Sequence, residues 1–234
     1  MKNILFITLF NLAVHIQAQS LLVFSKTNGY RHASIPAGQQ ALKQIADQED
    51  FEVTFTEDST LFTRKNLKKY DLIIFLQTTG DILNENQQQA FEKFILKGGH
   101  FVGIHSASDT EFEWEWFGNL IGNYFESHPA QQTATIINLA AEHPINSMIP
   151  TQWIHYDEWY NFRKPFSKEF TYLLAVDEST YEGGIHPKNH PIAWCREFGK
   201  SRVFYTALGH TSEAYADTTY LTHLKNGILW TLRK

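Results

Sequence analysis

The chain has 234 residues, 43% of them hydrophobic and 19% charged, which describes a globular domain with a large core and not a disordered chain. The formal net charge is −5 and no Lys/Arg run stands out, so nucleic acid is not expected as a partner. A single cysteine, Cys195, excludes an internal disulfide, and its strand-like setting predicts a buried, inert thiol.

The first residues read as a secretory leader. Lys2 precedes an apolar run from Ile4 to Ile16, and Ala18 suits a cleavage position. This predicts a leader over residues 1–18, one domain over residues 19–234 and a secreted or periplasmic location. Asn11 and His15 interrupt the run, so no stable membrane span is expected. Leu21 to Ser25 is then a short apolar strand, followed by a polar loop, Lys26 to Ala33, that carries Tyr30, Arg31 and His32. Ser34 is placed to cap a helix, with Pro36 in the first turn and Leu42, Ile45 and Ala46 as the apolar stripe. Phe51, Val53 and Phe55 alternate as a strand does. Asp58 to Lys69 reads as a turn and a short helix, and Leu72 to Leu76 as a buried strand that ends in Gln77-Thr78-Thr79-Gly80. Asn84 and Gln87 have capping-box spacing before a helix with Phe91, Phe94 and Ile95 on its core face. Gly98 and Gly99 can end that helix, and Phe101 to Ile104 is the next buried strand, with His105 and Ser106 at its end.

Strand and helix thus alternate at least three times, which predicts an α/β fold, a mostly parallel sheet with helices on both faces. Parallel strands end on one rim, where open α/β sheets bind ligands, so the loops carrying His32, Thr78 and His105 should share a side. After Asp109 the pattern changes. Glu111, Glu113 and Glu115 alternate with Phe112, Trp114 and Trp116 in an aromatic loop, and a short helix through Leu120 and Ile121 ends at Gly122. Strands follow at Thr133–Leu139 and Thr171–Val176, with an aromatic and acidic stretch, Trp153 to Tyr160, between them. Ile192 to Phe198 and Arg202 to Leu208, joined at Gly199-Lys200, read as an added β-hairpin, and Thr218 to Leu232 as the closing helix.

Five of the eleven histidines, His32, His105, His128, His186 and His210, fall in loops or at strand ends. Imidazole suits both proton transfer and metal binding. No HExxH or paired-Cys spacing is present, so a metal site would have to be assembled from distant loops, and no ligand set is chosen. Asp157 and Glu158 are neighbours that a strand would point to opposite faces. Glu158, framed by Tyr156, Trp159 and Tyr160, is the better candidate for a general acid or base, with a pKa raised by its aromatic setting. A serine nucleophile is disfavoured, because Gly103-Ile104-His105-Ser106-Ala107 puts His at the elbow position and Ser106 one residue late.

Several segments together resemble the ThuA-like (trehalose-utilisation) domain family. They are Gly98 to Ala107, Leu120-Ile121-Gly122 with Phe125 and His128-Pro129, Asp157-Glu158-Trp159-Tyr160, His190 to Trp194, and Gly199 to His210. The resemblance covers nearly all of the chain after the leader. It implies a flavodoxin-like fold similar to class I glutamine amidotransferases, and a role in sugar metabolism that includes 3-keto-sugar pathways. The amidotransferase elbow carries Cys where this chain has His105, so glutamine hydrolysis is not expected, while His210 matches the position of their catalytic His.

The leading expectation is an enzyme acting on a sugar or 3-keto-glycoside. His105 and His210 serve as acid and base and Glu158 assists. His32, Ser106, His128, Trp159 and Tyr160 line the substrate site. One alternative is a non-catalytic carbohydrate-binding module that stacks sugar on Trp114, Trp116, Trp159 and Tyr160. The other is a metal-assisted hydrolase or lyase using the His cluster. No cofactor is assigned; the expected partner is a small carbohydrate.

Overall fold

The computed structural model describes residues 18–163, 165–187 and 190–234, so the leader expected over residues 1–18 lies, apart from Ala18, outside the described residues. In chain order the elements are β1 (Ser20–Phe24), α1 (Ile35–Gln48), β2 (Glu52–Thr56), α2 (Arg64–Leu67), β3 (Leu72–Leu76), α3 (Glu85–Leu96) and β4 (His100–Ile104). Then come α4 (Glu115–Ile121), β5 (Phe125–Ser127), β6 (Gln132–Asn138), β7 (Gln152–Asp157), β8 (Asn161–Phe162), β9 (Thr171–Val176), β10 (Pro191–Phe198), β11 (Ser201–Thr206) and α5 (Thr218–Thr231).

Nine strands form one sheet in the order β2-β1-β3-β4-β11-β10-β9-β6-β7. The first five are mutually parallel, and the remaining four extend the sheet antiparallel. The expected hairpin of β10 and β11 is present, but it is not an appendage. β11 pairs with β4 inside the parallel half, and β10 opens the antiparallel wing.

Strand alternation explains the two covered faces. Phe75 of β3 stacks on Phe91 of α3 and packs near Phe117 of α4, whereas the next residue, Leu76, reaches Gly38 of α1. Phe204 of β11 meets His223 of α5, and Tyr205 turns the other way onto Trp194. Helix ends follow local chemistry. The Asn84–Gln87 capping box is formed, and Gly98 leaves α3 with φ +100°. Cys195 lies buried in β10, where burial pushes its thiol up to about 12, as an inert thiol should be. Among the described residues no helix is long and apolar enough to cross a membrane.

Candidate functional site

Because β1, β3, β4 and β11 run parallel, the loops after their carboxyl ends share one rim, and His32, Gln77, His105 and His210 lie on them. β4 stops at Ile104, and His105 follows with φ +53°, a left-handed backbone that costs a non-glycine residue energy. A 3-10 turn, His105–Asp109, comes next, so strand, left-handed residue and helical turn form an elbow with imidazole at its tip. The Tyr205 hydroxyl donates to the His105 carbonyl at 2.8 Å and braces the elbow.

His210 is fixed by its backbone. The Asp157 carboxylate, at the end of β7, accepts the N–H groups of Gly209 (2.7 Å) and His210 (2.9 Å). Ser34 Oγ donates to the His210 carbonyl at 2.5 Å, and the Gln77 amide donates to the Gly209 carbonyl and to Ser34 Oγ. Ser34 therefore makes no side-chain cap on α1, contrary to expectation, because its hydroxyl is committed to this loop. Gly209 has φ +107°, and a Cβ there would come within 2.7 Å of the Tyr215 and Tyr220 hydroxyls.

Three polar atoms meet above the rim. His105 Nε2 lies 3.1 Å from His210 Nδ1 and 3.5 Å from Glu158 Oε2, and His210 Nδ1 lies 3.1 Å from the same Oε2. The His32 ring stands edge-on to both imidazoles, at centroid distances of 4.8 and 5.0 Å. One ligand atom from each of His32, His105, Glu158 and His210 falls within 4.8 Å of the others. The Tyr160 hydroxyl is 3.0 Å from His105 Nε2, and Ser106 Oγ is 3.4 Å from His32 Nδ1. The second Glu158 oxygen faces His128 Nδ1 at 3.1 Å.

With that geometry established, the comparisons carry the assignment. The ThuA family, described as trehalose utilisation, matches residues 20–231. The chain belongs to the ThuA family. Its fold is similar to a ThuA-like protein from Bacteroides uniformis ATCC 8492, at 23% identity and TM-score 0.78 over 94% of each chain. It is also similar to a ThuA-like protein from Parabacteroides merdae ATCC 43184, at 19% identity and TM-score 0.74 over 92% of this chain and 90% of that one. A cytoplasmic protein from Salmonella typhimurium LT2 shares the fold at 12% identity and TM-score 0.65, over 92% of this chain and 100% of that one. A search of curated proteins finds no match.

In this ThuA-family site, burial pushes the Glu158 carboxyl up, but the hydrogen bonds and charges of His105 and His210 outweigh it and hold it well below the usual range. The raised pKa expected for Glu158 is therefore corrected: its partners are imidazoles, and of the framing aromatics only Tyr160 joins the site. Burial, with the neighbouring imidazoles, lowers His32 to about 2, so it stays neutral. Tyr160 is pushed well above 10 by burial and keeps its proton. Burial also raises Asp109, at the end of the 3-10 turn, to about 6, against the pull of Arg163, His105 and His128.

Of the expected site residues, His32, His105, Ser106, His128, Glu158, Tyr160 and His210 are brought together. Trp159 is not. Its indole is 1% exposed and donates to the Gln132 carbonyl at 2.9 Å, so it cannot offer a face to a sugar. Trp114 and Trp116 pack on each other and on Phe91, Phe117 and Phe198, so the stacking surface of a binding module is not assembled. His186 accepts the Phe162 N–H and lies outside the cluster. Sequence reading gives no site role to Gln131, whose amide is 2.7 Å from His210 Nε2, nor to Gln77 or Asp109, and it ranks Asp157 behind Glu158. It named Tyr30 only as a loop residue, yet Tyr30 is 65% exposed with its ring 4.8 Å from His32. A hollow of about 420 Å³, lined by Pro129, Ala130, Gln132, Glu182 and Gly183, adjoins the segment that carries His128 and Gln131. A cavity of about 460 Å³ at the opposite rim, beside Arg64, Lys93 and His100, contains none of the converging imidazoles.

Proposed function

We propose that this chain is an enzyme of carbohydrate metabolism that acts on a sugar or 3-keto-glycoside, with the imidazole–carboxylate cluster as its reaction centre. The ThuA family's association with trehalose utilisation supports the substrate class. The observation that carries the reading is the Glu158 carboxylate shared by three imidazoles, with Oε2 facing His105 and His210 and Oε1 facing His128.

Geometry divides the labour among them. His105 and His210 are largely enclosed, whereas the His128 side chain is 41% exposed. His128 Nδ1 faces two acceptors, the Pro129 carbonyl (2.9 Å) and Glu158, so the proton sits there and Nε2 keeps its lone pair. That nitrogen can take a proton from a carbon next to a sugar carbonyl, and Glu158 stabilises the imidazolium that forms. Tyr160, buried and held protonated, can donate to His105 Nε2 and so fixes that imidazole beside the carboxylate. As part of the same proposal, the apolar leader directs the protein to a secreted or periplasmic location.

The test is incubation with a panel of glycosides and 3-keto-glycosides, read by mass spectrometry. One class should be consumed, and His105→Ala and His128→Ala should each lower turnover by roughly 10²- to 10⁴-fold with folding intact. A panel left unchanged by the wild-type chain, or turnover unaltered in both variants, would refute the reading.

A further inference from the structure

We propose that His32, His105, His210 and Glu158 bind one divalent transition-metal ion. The ion's chemistry would rest on the reading above, but its binding would not.

The argument starts from spacing. An ion held about 2.0–2.1 Å from imidazole nitrogens and carboxylate oxygen in tetrahedral angles sets its donors roughly 3.3 Å apart. The triangle of His105 Nε2, His210 Nδ1 and Glu158 Oε2 has sides of 3.1, 3.1 and 3.5 Å. His32 offers a fourth donor in a set that spans up to 4.8 Å, wider than the tetrahedral spacing, so the three-donor triangle carries the match and the His32 ring would close in on the ion. These side chains come from four separate segments, after β1, β4, β7 and β11, so no local sequence spacing imposes the match.

The outer contacts agree. Metal-binding imidazoles are characteristically oriented through the ring nitrogen that faces away from the ion. His105 Nδ1 lies 2.7 Å from the Ala207 carbonyl, which can only accept, so Nδ1 carries the hydrogen and Nε2 presents its lone pair to the cluster. The outward nitrogen of His210 is held by Gln131 at 2.7 Å, and Ser106 stands at His32. The outer oxygen of Glu158 is held by His128. Without an ion, His210 Nδ1–H can donate to Glu158 and the Tyr160 hydroxyl to His105 Nε2; with an ion on Nδ1 the His210 proton sits on Nε2, and the Gln131 amide turns its oxygen to accept it. Three nitrogens and one oxygen select zinc, iron, manganese, cobalt or nickel over calcium or magnesium. Such an ion could polarise a carbonyl or hydroxyl oxygen, with the exposed His128 beside it to handle the proton.

The test uses the full chain without a histidine tag, stripped with chelator and titrated with Zn²⁺, Mn²⁺ and Co²⁺ by calorimetry, with the visible spectrum of the Co²⁺ form as a second readout. One equivalent should bind. His105→Ala and His210→Ala should each weaken affinity at least about tenfold, as should Glu158→Gln, which keeps the shape and removes the charge. His128→Ala, outside the ligand set, should keep the stoichiometry of one. Circular dichroism on each variant separates ligand loss from unfolding. No binding near one equivalent by the wild-type chain overturns the proposal, as does undiminished binding by a folded His105→Ala/His210→Ala double variant. Sugar turnover by a chain that binds no metal would overturn this site and keep the proposed function; metal binding without turnover of any sugar would do the reverse.

Discussion

The two halves of the sheet contribute unlike things to one site. The parallel half is apolar at its centre, with every residue of β3 buried, and it ends in loops that present His32, His105 and His210. Those imidazoles are fixed by backbone: a left-handed elbow at His105, and hydrogen bonds to both sides of His210. The antiparallel wing runs from the largely buried β10 out to the edge strand β7, whose burial alternates, and its strand ends and loops supply Glu158, His128, Gln131 and Tyr160. The difference teaches that the scaffold holds the nitrogen donors in place while the wing brings the negative charge. Asp157 joins the two, because this wing residue accepts the backbone N–H groups of a parallel-half loop.

The largest effect is expected where that joint is cut. Asp157→Ala leaves the Gly209 and His210 N–H groups without their acceptor, and an unsatisfied buried donor costs about 1–3 kcal/mol. A loss of roughly 3–5 kcal/mol in urea unfolding is expected, with Asp157→Asn milder because one acceptor oxygen remains. A loss below about 1 kcal/mol would show that the halves are held together elsewhere.

The same division marks what the sequence could show. In the parallel half, runs such as Leu72 to Leu76 and the Asn84–Gln87 capping box are local signals, and the structure follows them closely. His32 and His105 were legible for the same reason, since parallel strands end on one rim, whereas His210 was legible through the resemblance, because its strand reads as half of a hairpin and only the pairing of β11 with β4 puts it on that rim. In the wing, Glu158 and His128 were legible by residue type and resemblance, but their partners were not. Trp159 misled because aromatic neighbours in sequence do not share a face at the end of a strand, and its indole turns inward to Gln132. Asp157 was passed over because its partners, Gly209 and His210, lie about fifty residues away, and nothing local marks a carboxylate that binds backbone. Ser34 had cap spacing, but the distant His210 carbonyl outcompetes the helix end for its hydroxyl.

A smaller, pH-dependent effect sharpens the comparison. Behind Asp157, His155 sits between two carboxylates, with Nδ1 at 2.9 Å from Asp217 and Nε2 at 3.5 Å from Asp157. Burial lowers its pKa, but the two acids outweigh burial and the net shift is upward. A raised histidine stabilises fully below its unfolded value, about 6.5, and that stability is lost as pH rises through the folded value. The wild-type chain should therefore lose stability above neutral pH relative to His155→Gln, by at most about 1.4 kcal/mol per pH unit. Urea midpoints for both chains across neutral to alkaline pH measure this, and a wild-type advantage that grows with pH would contradict it.

The smallest effect tests whether the parallel half also tolerates a charge for function. Asp109 closes the turn that begins at His105, and burial raises its carboxyl to about 6. A raised acid has the opposite sign to a salt-bridged one: the folded state holds the proton more tightly, so stability falls as pH climbs from about 3.9 through about 6 and stays reduced above. Two pKa units correspond to about 3 kcal/mol, and solvent screening of this half-buried group cuts the figure to roughly 1 kcal/mol. Asp109→Asn should thus be more stable than wild type by about that amount at pH 7.5 and equal to it at about pH 3, while turnover of the sugar substrate falls. Stability that rises as turnover falls would mark Asp109 as a charge retained at the site for chemistry. A variant with unchanged stability and activity would leave the negative charge of the site to the wing alone.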